Sequence, residues 1–118
     1  MASHNELGKT GEDLAEKYLV ANDFKILHRN WRYSRYEIDI VALKNGIPHF
    51  VEVKIRSSGN YGFPEESVTK QKIRFLLQAA EQFLYRHPSY KNFQLDILSI
   101  TQQSNGETKY FFIQDVYL

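Results

Sequence analysis

Apolar positions along this chain fall into two rhythms, and the changes between them mark out seven elements. Leu14, Ala15, Tyr18 and Leu19 recur at helical spacing, with Glu12 and Asp13 early, where the helix dipole favours acids; residues 7 to 21 therefore predict a first helix. After the turn-like Asn22-Asp23, Phe24 to Arg32 and Glu37 to Lys44 predict two strands, the second rich in Ile and Val. Asn45-Gly46 follows at once. A type I′ turn needs positive φ at both central residues, which this dipeptide tolerates, so His49 to Ile55 is expected to return as the other arm of a hairpin. Pro48 sits awkwardly there, because it cannot donate to a ladder.

Arg56 to Glu66, with Ser57, Ser58, Gly59, Gly62 and Pro64, has loop composition, and Tyr61 and Phe63 stand out in it. Ile73, Leu76, Leu77, Ala80 and Leu84 then predict an amphipathic second helix that ends before Pro88. Phe93 to Thr101 alternates as a strand, Asn105-Gly106 marks a second hairpin turn, and Tyr110 to Leu118 returns. No repeat, low-complexity stretch or linker interrupts the order. The expectation is one α/β domain over residues 1–118: a mixed five-stranded sheet flanked by two helices, ordered helix, three strands, helix, two strands.

Composition narrows the chemistry. With 42% hydrophobic and 25% charged residues the chain has the make-up of an ordinary soluble globular protein. It carries no cysteine, so disulfides, thiolate nucleophiles and sulfur-ligated metals are excluded, and any metal must be held by oxygen or imidazole. No apolar run approaches the roughly 20 residues of a membrane span, and the amino terminus lacks a signal-peptide pattern; a cytoplasmic protein with no membrane partner is expected. A net charge of +1 is not the electrostatic footprint of a nucleic-acid binder. Locally, though, Lys25, Arg29, Arg32 and Arg35 form one basic set, and Lys54, Arg56, Lys70, Lys72 and Arg74 a second.

The hairpin carries the candidate site. Side chains alternate along a strand, so Glu37 and Asp39 share a face, as do Phe50, Glu52 and Lys54. Stepping outwards from Lys44 opposite Ile47 places Asp39 opposite Glu52 and Glu37 opposite Lys54, with Ile38, Ile40, Val51, Val53 and Ile55 on the other face. Carboxylates directly opposed are destabilising unless something compensates. A Mg²⁺ ion, typically held by one or two carboxylates plus water and substrate phosphate, would do so, and Lys54 beside it could orient an attacking water. Glu12 borders the apolar face of the first helix and could lean towards the same patch. Paired Glu and Lys are also common on wet strand faces, and spacing alone does not separate the two readings. His4, His28, His49 and His87 share no spacing and read as surface or packing residues.

Gly8-x-x-Gly11-Glu12-x-x-Ala15, Tyr18-Leu19, Arg29-Asn30, Glu37-Ile38-Asp39, Phe50-Val51-Glu52-Val53-Lys54, Arg56-Ser57, Tyr61-Gly62-x-Pro64, Val68 and Lys72 closely resemble the YraN-like family of small bacterial proteins, over nearly the whole chain. Such proteins look like the PD-(D/E)xK nuclease superfamily, with its restriction-endonuclease-like fold, and particularly its archaeal Holliday-junction resolvases. The resemblance implies a metal-dependent phosphodiester hydrolase acting on branched, flapped or otherwise non-duplex nucleic acid, with DNA the expected partner. It maps the catalytic set onto Glu12, Asp39, Glu52 and Lys54. Asp39 and Glu52 would hold Mg²⁺ or Mn²⁺, with the Val53 carbonyl a further ligand and Glu12 serving a second ion or an intervening water. Arg56, Tyr61, Lys70, Lys72 and Arg74 are expected to meet nucleic acid, and relatives of the resolvase type imply a homodimer. One departure is visible: Gln94-Leu95-Asp96 stands where relatives often have Arg-Phe-Asp, which removes a positive charge from the fourth strand and leaves Asp96 as a structural partner. The alternative expectation is a module that keeps the nuclease fold and binds nucleic acid without cutting it.

Overall fold

The computed structural model describes residues 4–57 and 69–116. The chain runs α1 (His4–Ala21), β1 (Lys25–Tyr33), β2 (Tyr36–Lys44), β3 (Ile47–Ser57), α2 (Lys70–Arg86), β4 (Gln94–Gln102) and β5 (Thr108–Ile113), the element order the pattern predicts. The five strands form one sheet in sequence order. β3 and β4 are parallel and every other neighbouring pair is antiparallel. A parallel pair needs a long crossover, and α2 supplies it.

The helices cover opposite faces of the sheet. Ala15 and Leu19 of α1 pack on Ile40, Ala42, Val51, Leu98 and Ile100. Leu76, Ala79, Ala80 and Phe83 of α2 pack on Ile38, Val41, Phe50 and Leu95. β4 lies between both layers, so Leu95, Ile97, Leu98 and Ile100 are all fully buried, and its polar residues Asp96 and Ser99 are buried with them. α1 comes down tightly on β3 because residue 11 is glycine: a Cβ there would lie 3.1 Å from the Ile55 side chain. Among the described residues no helix is long and apolar enough to cross a membrane.

The turns follow local chemistry. Asn45 and Gly46 have φ of 53° and 76°, the two positive values of a type I′ turn. Pro48 is tolerated because it precedes the first residue of β3 that pairs with β4, His49, so no partner strand waits for the N–H it lacks. The second hairpin turn is longer than Asn105-Gly106: the Gly106 amide donates to the Gln103 carbonyl, and Gly106 alone takes positive φ. Of the expected return over Tyr110 to Leu118, β5 ends at Ile113, and Asp115 turns the chain with φ 58°; Tyr117 and Leu118 lie outside the described residues. The bend lets the Asp115 amide donate to Asp96 Oδ1 and the Val116 amide donate to the Leu95 carbonyl.

Asp96 is the polar centre of that corner. Its Oδ2 lies 2.7 Å from Nδ1 of the buried His49, and Oδ1 accepts from Gln94 Nε2 at 3.0 Å as well as from Asp115. Gln94, where a positive charge is absent, thus serves this carboxylate. His49 is a buried partner of Asp96, with Phe24 edge-on at 5.0 Å, and so belongs to the packing class expected of it.

Candidate metal centre

The β2–β3 ladder runs from Lys44 opposite Ile47 to Ile40 opposite Val51, as the turn dictates, and stops there. Beyond that point β2 stays with β1, pairing Ile38 with Trp31, Glu37 with Arg32 and Tyr36 with Tyr33. β3 meanwhile stays with β4, from Glu52 opposite Ile97 to Ser57 opposite Gln102. The two strands therefore fork at Asp39 and Glu52. The expected ladder pairs Asp39 with Glu52 and Glu37 with Lys54 do not form. Asp39 Oδ2 instead accepts the Val53 amide at 2.8 Å across the gap, and Glu37 makes an ion pair with Arg32 at 3.3 Å.

A break in the pleat accompanies the fork. Regular alternation would put Ile38 and Ile40 on one face, as expected above, yet Ile38 packs in the α2 core and Ile40 in the α1 core. The opposing strand is irregular at the same place, since Asn30 takes φ 54° between Arg29 opposite Ile40 and Trp31 opposite Ile38. With its neighbours drawn into opposite layers, Asp39 is left at the opening between the strands.

Charge is concentrated there. Burial, above all, pushes the Asp39 carboxyl up from its ordinary 3.8 to about 6; the Val53 hydrogen bond opposes this, and Glu52, Glu12 and Glu37 reinforce it by repulsion. Glu52 Oε2 is buried and, among the described residues, accepts no hydrogen bond; Lys72 Nζ is an ion-pair partner at 3.7 Å. Burial lowers the Lys72 ammonium first, the neighbouring Lys54 lowers it further, and Glu52 and Asp39 pull it back. Glu12 reaches the cluster from α1, with Oε2 tied to Arg29 Nη2 at 3.3 Å and Asn30 Nδ2 at 3.0 Å, while Arg29 Nη1 holds Asp13 at 2.8 Å.

Asp39, Glu52, Lys54 and Glu12 thus gather around the fork, and Val53 lends it an amide. Among the described residues no three His, Asp or Glu side chains converge tightly enough to cage an ion by themselves. Two carboxylates, one with a buried oxygen that accepts no hydrogen bond among the described residues, fit instead a cation that takes one or two protein oxygens and completes its shell from water and phosphate. The basic residues expected to act together are divided: Lys70 and Arg74 are exposed on α2, Arg56 is half-buried on β3, and Lys72 turns into the acidic cluster. Tyr61 and Phe63 lie outside the described residues.

Sequence reasoning missed the inward role of Lys72 and the clamp of Arg29 and Asn30 on Glu12. It also missed a cleft of about 170 Å³ between Arg35, Tyr36 and Glu37 and the α2 residues Lys72 and Phe75, bordered by Glu52. Only the complementary charge of Arg29 and the Glu12-Asp13 pair hinted at the clamp, and nothing in the spacing brought them together.

The acidic cluster has a cost in stability with a definite sign. The folded state holds the Asp39 proton up to about pH 6, whereas an ordinary carboxyl releases it near 3.8, so the metal-free protein is expected to lose stability as pH rises through that window. At about 1.4 kcal/mol per pH unit the loss is on the order of 3 kcal/mol. Asp39→Asn, whose amide oxygen can still accept from Val53, should flatten that slope and melt higher than wild type at pH 7 in chelator. Thermal melts of both proteins at pH 4.5 and 7 measure the difference; parallel slopes would contradict the assignment.

Similarities to other proteins cover the site. The profile of the family described as "Uncharacterised protein family UPF0102" matches residues 11–100. A UPF0102 protein of Flavobacterium johnsoniae is 45% identical over 112 residues, covering 92% of this chain and 89% of its own length. One from Bacteroides fragilis is 42% identical over 116 residues, 98% of this chain and 93% of its own length. Another, from Chloroherpeton thalassium, is 35% identical over 125 residues, 99% and 97% of the two chains.

Proposed function

The chain belongs to the uncharacterised protein family UPF0102, and from that premise and the forked strand pair we propose that it is a Mg²⁺- or Mn²⁺-dependent nuclease hydrolysing phosphodiester bonds in branched, flapped or otherwise non-duplex DNA. The observation that carries this reading is the buried Glu52 oxygen, which among the described residues accepts no hydrogen bond and has Lys72 as an ion-pair partner only at 3.7 Å, placed where β2 and β3 part beside Asp39. An oxygen whose cationic partner stands beyond hydrogen-bond distance is costly unless a closer cation or a proton completes it. Burial first, and repulsion from Glu52, Glu12 and Glu37 after it, lower the acidity of Asp39, and a bound cation would relieve both.

Asp39 and Glu52 would hold the ion, with the Val53 carbonyl as a further ligand and Glu12, braced by Arg29 and Asn30, serving a second ion or an intervening water. Bound there, the ion would supply Lewis-acid activation of the phosphodiester and of the attacking water. Lys54 shares the face of Glu52 and orients the water. Lys72, beside both, places positive charge where negative charge develops on the phosphate. Arg56, Lys70 and Arg74 would meet the flanking backbone, and Tyr61 remains part of the proposed nucleic-acid contact. Two copies would suit a substrate with two-fold symmetry, and a chain without cysteine suits a cytoplasmic setting.

The test is incubation with labelled branched, flapped, single-stranded and duplex DNA in Mg²⁺ or Mn²⁺. Metal-dependent cleavage of the non-duplex substrates that is lost in Asp39→Asn supports the reading. Salt-dependent binding without cleavage, indifferent to metal and to Lys54→Ala, would favour the non-catalytic module instead.

A further inference from the structure

We infer that the cleft beside the carboxylates is a subsite for one unpaired nucleobase, stacked against Phe75 and Tyr36, with Arg35 and Lys72 engaging the adjoining phosphate; this rests on the nuclease reading above. Four observations converge on it. Phe75 is 46% exposed on a helix that buries Leu76, Ala79, Ala80 and Phe83, so a large ring is left uncovered beside the cleft. The Tyr36 ring lies 5.8 Å away at an interplanar angle of 57°, so the pair makes an open corner and not a closed stack. Arg35 is held to that ring, with its guanidinium carbon 5.4 Å from the centroid and Nη2 donating to the Tyr36 hydroxyl at 3.3 Å. Glu52 borders the cleft and belongs to the forked strands as well, so an occupant of the cleft is adjacent to the proposed ion.

The mixture of groups selects the occupant. A purely apolar partner would cover Phe75 but strip water from Arg35, Glu37, Glu52 and Lys72 without replacing it. A nucleotide satisfies both halves, because every base has a π-face for the rings and every phosphate an oxygen edge for the cations. In a duplex the bases are engaged within the stack and cannot reach the rings, so the subsite favours unpaired strands and gives the site a physical basis for structure selectivity.

The experiment is equilibrium binding of a short fluorescent single-stranded DNA, in Ca²⁺ to fill the oxygen site without turnover, to wild type, Phe75→Ala and Phe75→Trp. A duplex and a strand with abasic residues are the comparison probes. Phe75→Ala is expected to weaken single-strand binding roughly ten- to a hundredfold with little change for the other probes, and Phe75→Trp to restore it. Equal single-strand affinity in wild type and Phe75→Ala overturns the subsite even if the wild type cuts DNA. The expected pattern in a protein that cuts nothing keeps the subsite and removes the nuclease reading. A change of oligomeric state in Phe75→Ala, measured by sedimentation, would assign the ring to a contact between copies and also overturn it.

Discussion

Asp39→Asn is expected to lower metal-dependent cleavage by at least about a hundredfold while leaving the protein folded. Removing groups that only orient a metal ligand already costs about 10- to 100-fold in metal affinity or activity, so loss of a ligand itself should cost no less. The substitution is also clean: asparagine keeps an oxygen for the Val53 amide 2.8 Å away, so the gap between β2 and β3 should stay bridged. What disappears is the negative charge that Glu52, Glu12 and Glu37 oppose. Activity and metal-free stability are therefore expected to move in opposite directions, the mark of a residue kept for its chemistry and not for the fold. Calorimetric titration with Mn²⁺ should show the loss directly, with the higher melting temperature in chelator measured on the same samples. Full metal binding by the variant would remove Asp39 from the ligand set.

Asp96→Ala is expected to be the most damaging single change to the fold. The carboxylate is fully buried and accepts from Gln94 and the Asp115 amide while pairing with His49. Alanine leaves a cavity and several polar groups without partners, at a cost of about 3–5 kcal/mol by analogy with other broken buried pairs. For a chain of 118 residues that lowers the melting temperature by roughly 10 °C or more. Asp96→Asn should cost much less, since its oxygen can still take the Asp115 amide and His49 can change tautomer to accept from the new NH₂ group. A double variant with His49→Phe and Asp96→Leu should recover part of the loss, because apolar replacement of a buried pair is often close to neutral. Thermal melts of the four proteins decide it, and a wild-type melting temperature for Asp96→Ala would show that the corner contributes little.

Both residues were visible in the sequence, but for different reasons and to different depths. Asp39 and Glu52 stood out because a two-residue turn sets the register of its own hairpin, and five of those pairs are present from Lys44 to Ile40. That register does not continue to the next pair, because β2 is held by β1 and β3 by β4, and those partners draw the strands apart. The interrupted pleat at Asp39 was equally hidden: Ile38 and Ile40 look interchangeable as letters and enter different cores. His49 showed only as a histidine without a pattern, since its partner Asp96 is 47 residues away.

What the amino-acid order determined by itself is whatever depends on near neighbours: two helices from their three-to-four spacing, the tight bend at Asn45-Gly46 from its tolerance of positive φ, and the residue types available for chemistry. Tertiary structure alone decided where the sheet opens, which acid loses its easy ionisation, and that Lys72 turns inwards while Phe75 stays uncovered beside it. The division has one physical cause. Spacing and turn preference act over a few residues, whereas desolvation and charge repulsion depend on groups that α1, α2 and three strands bring together from distant parts of the chain.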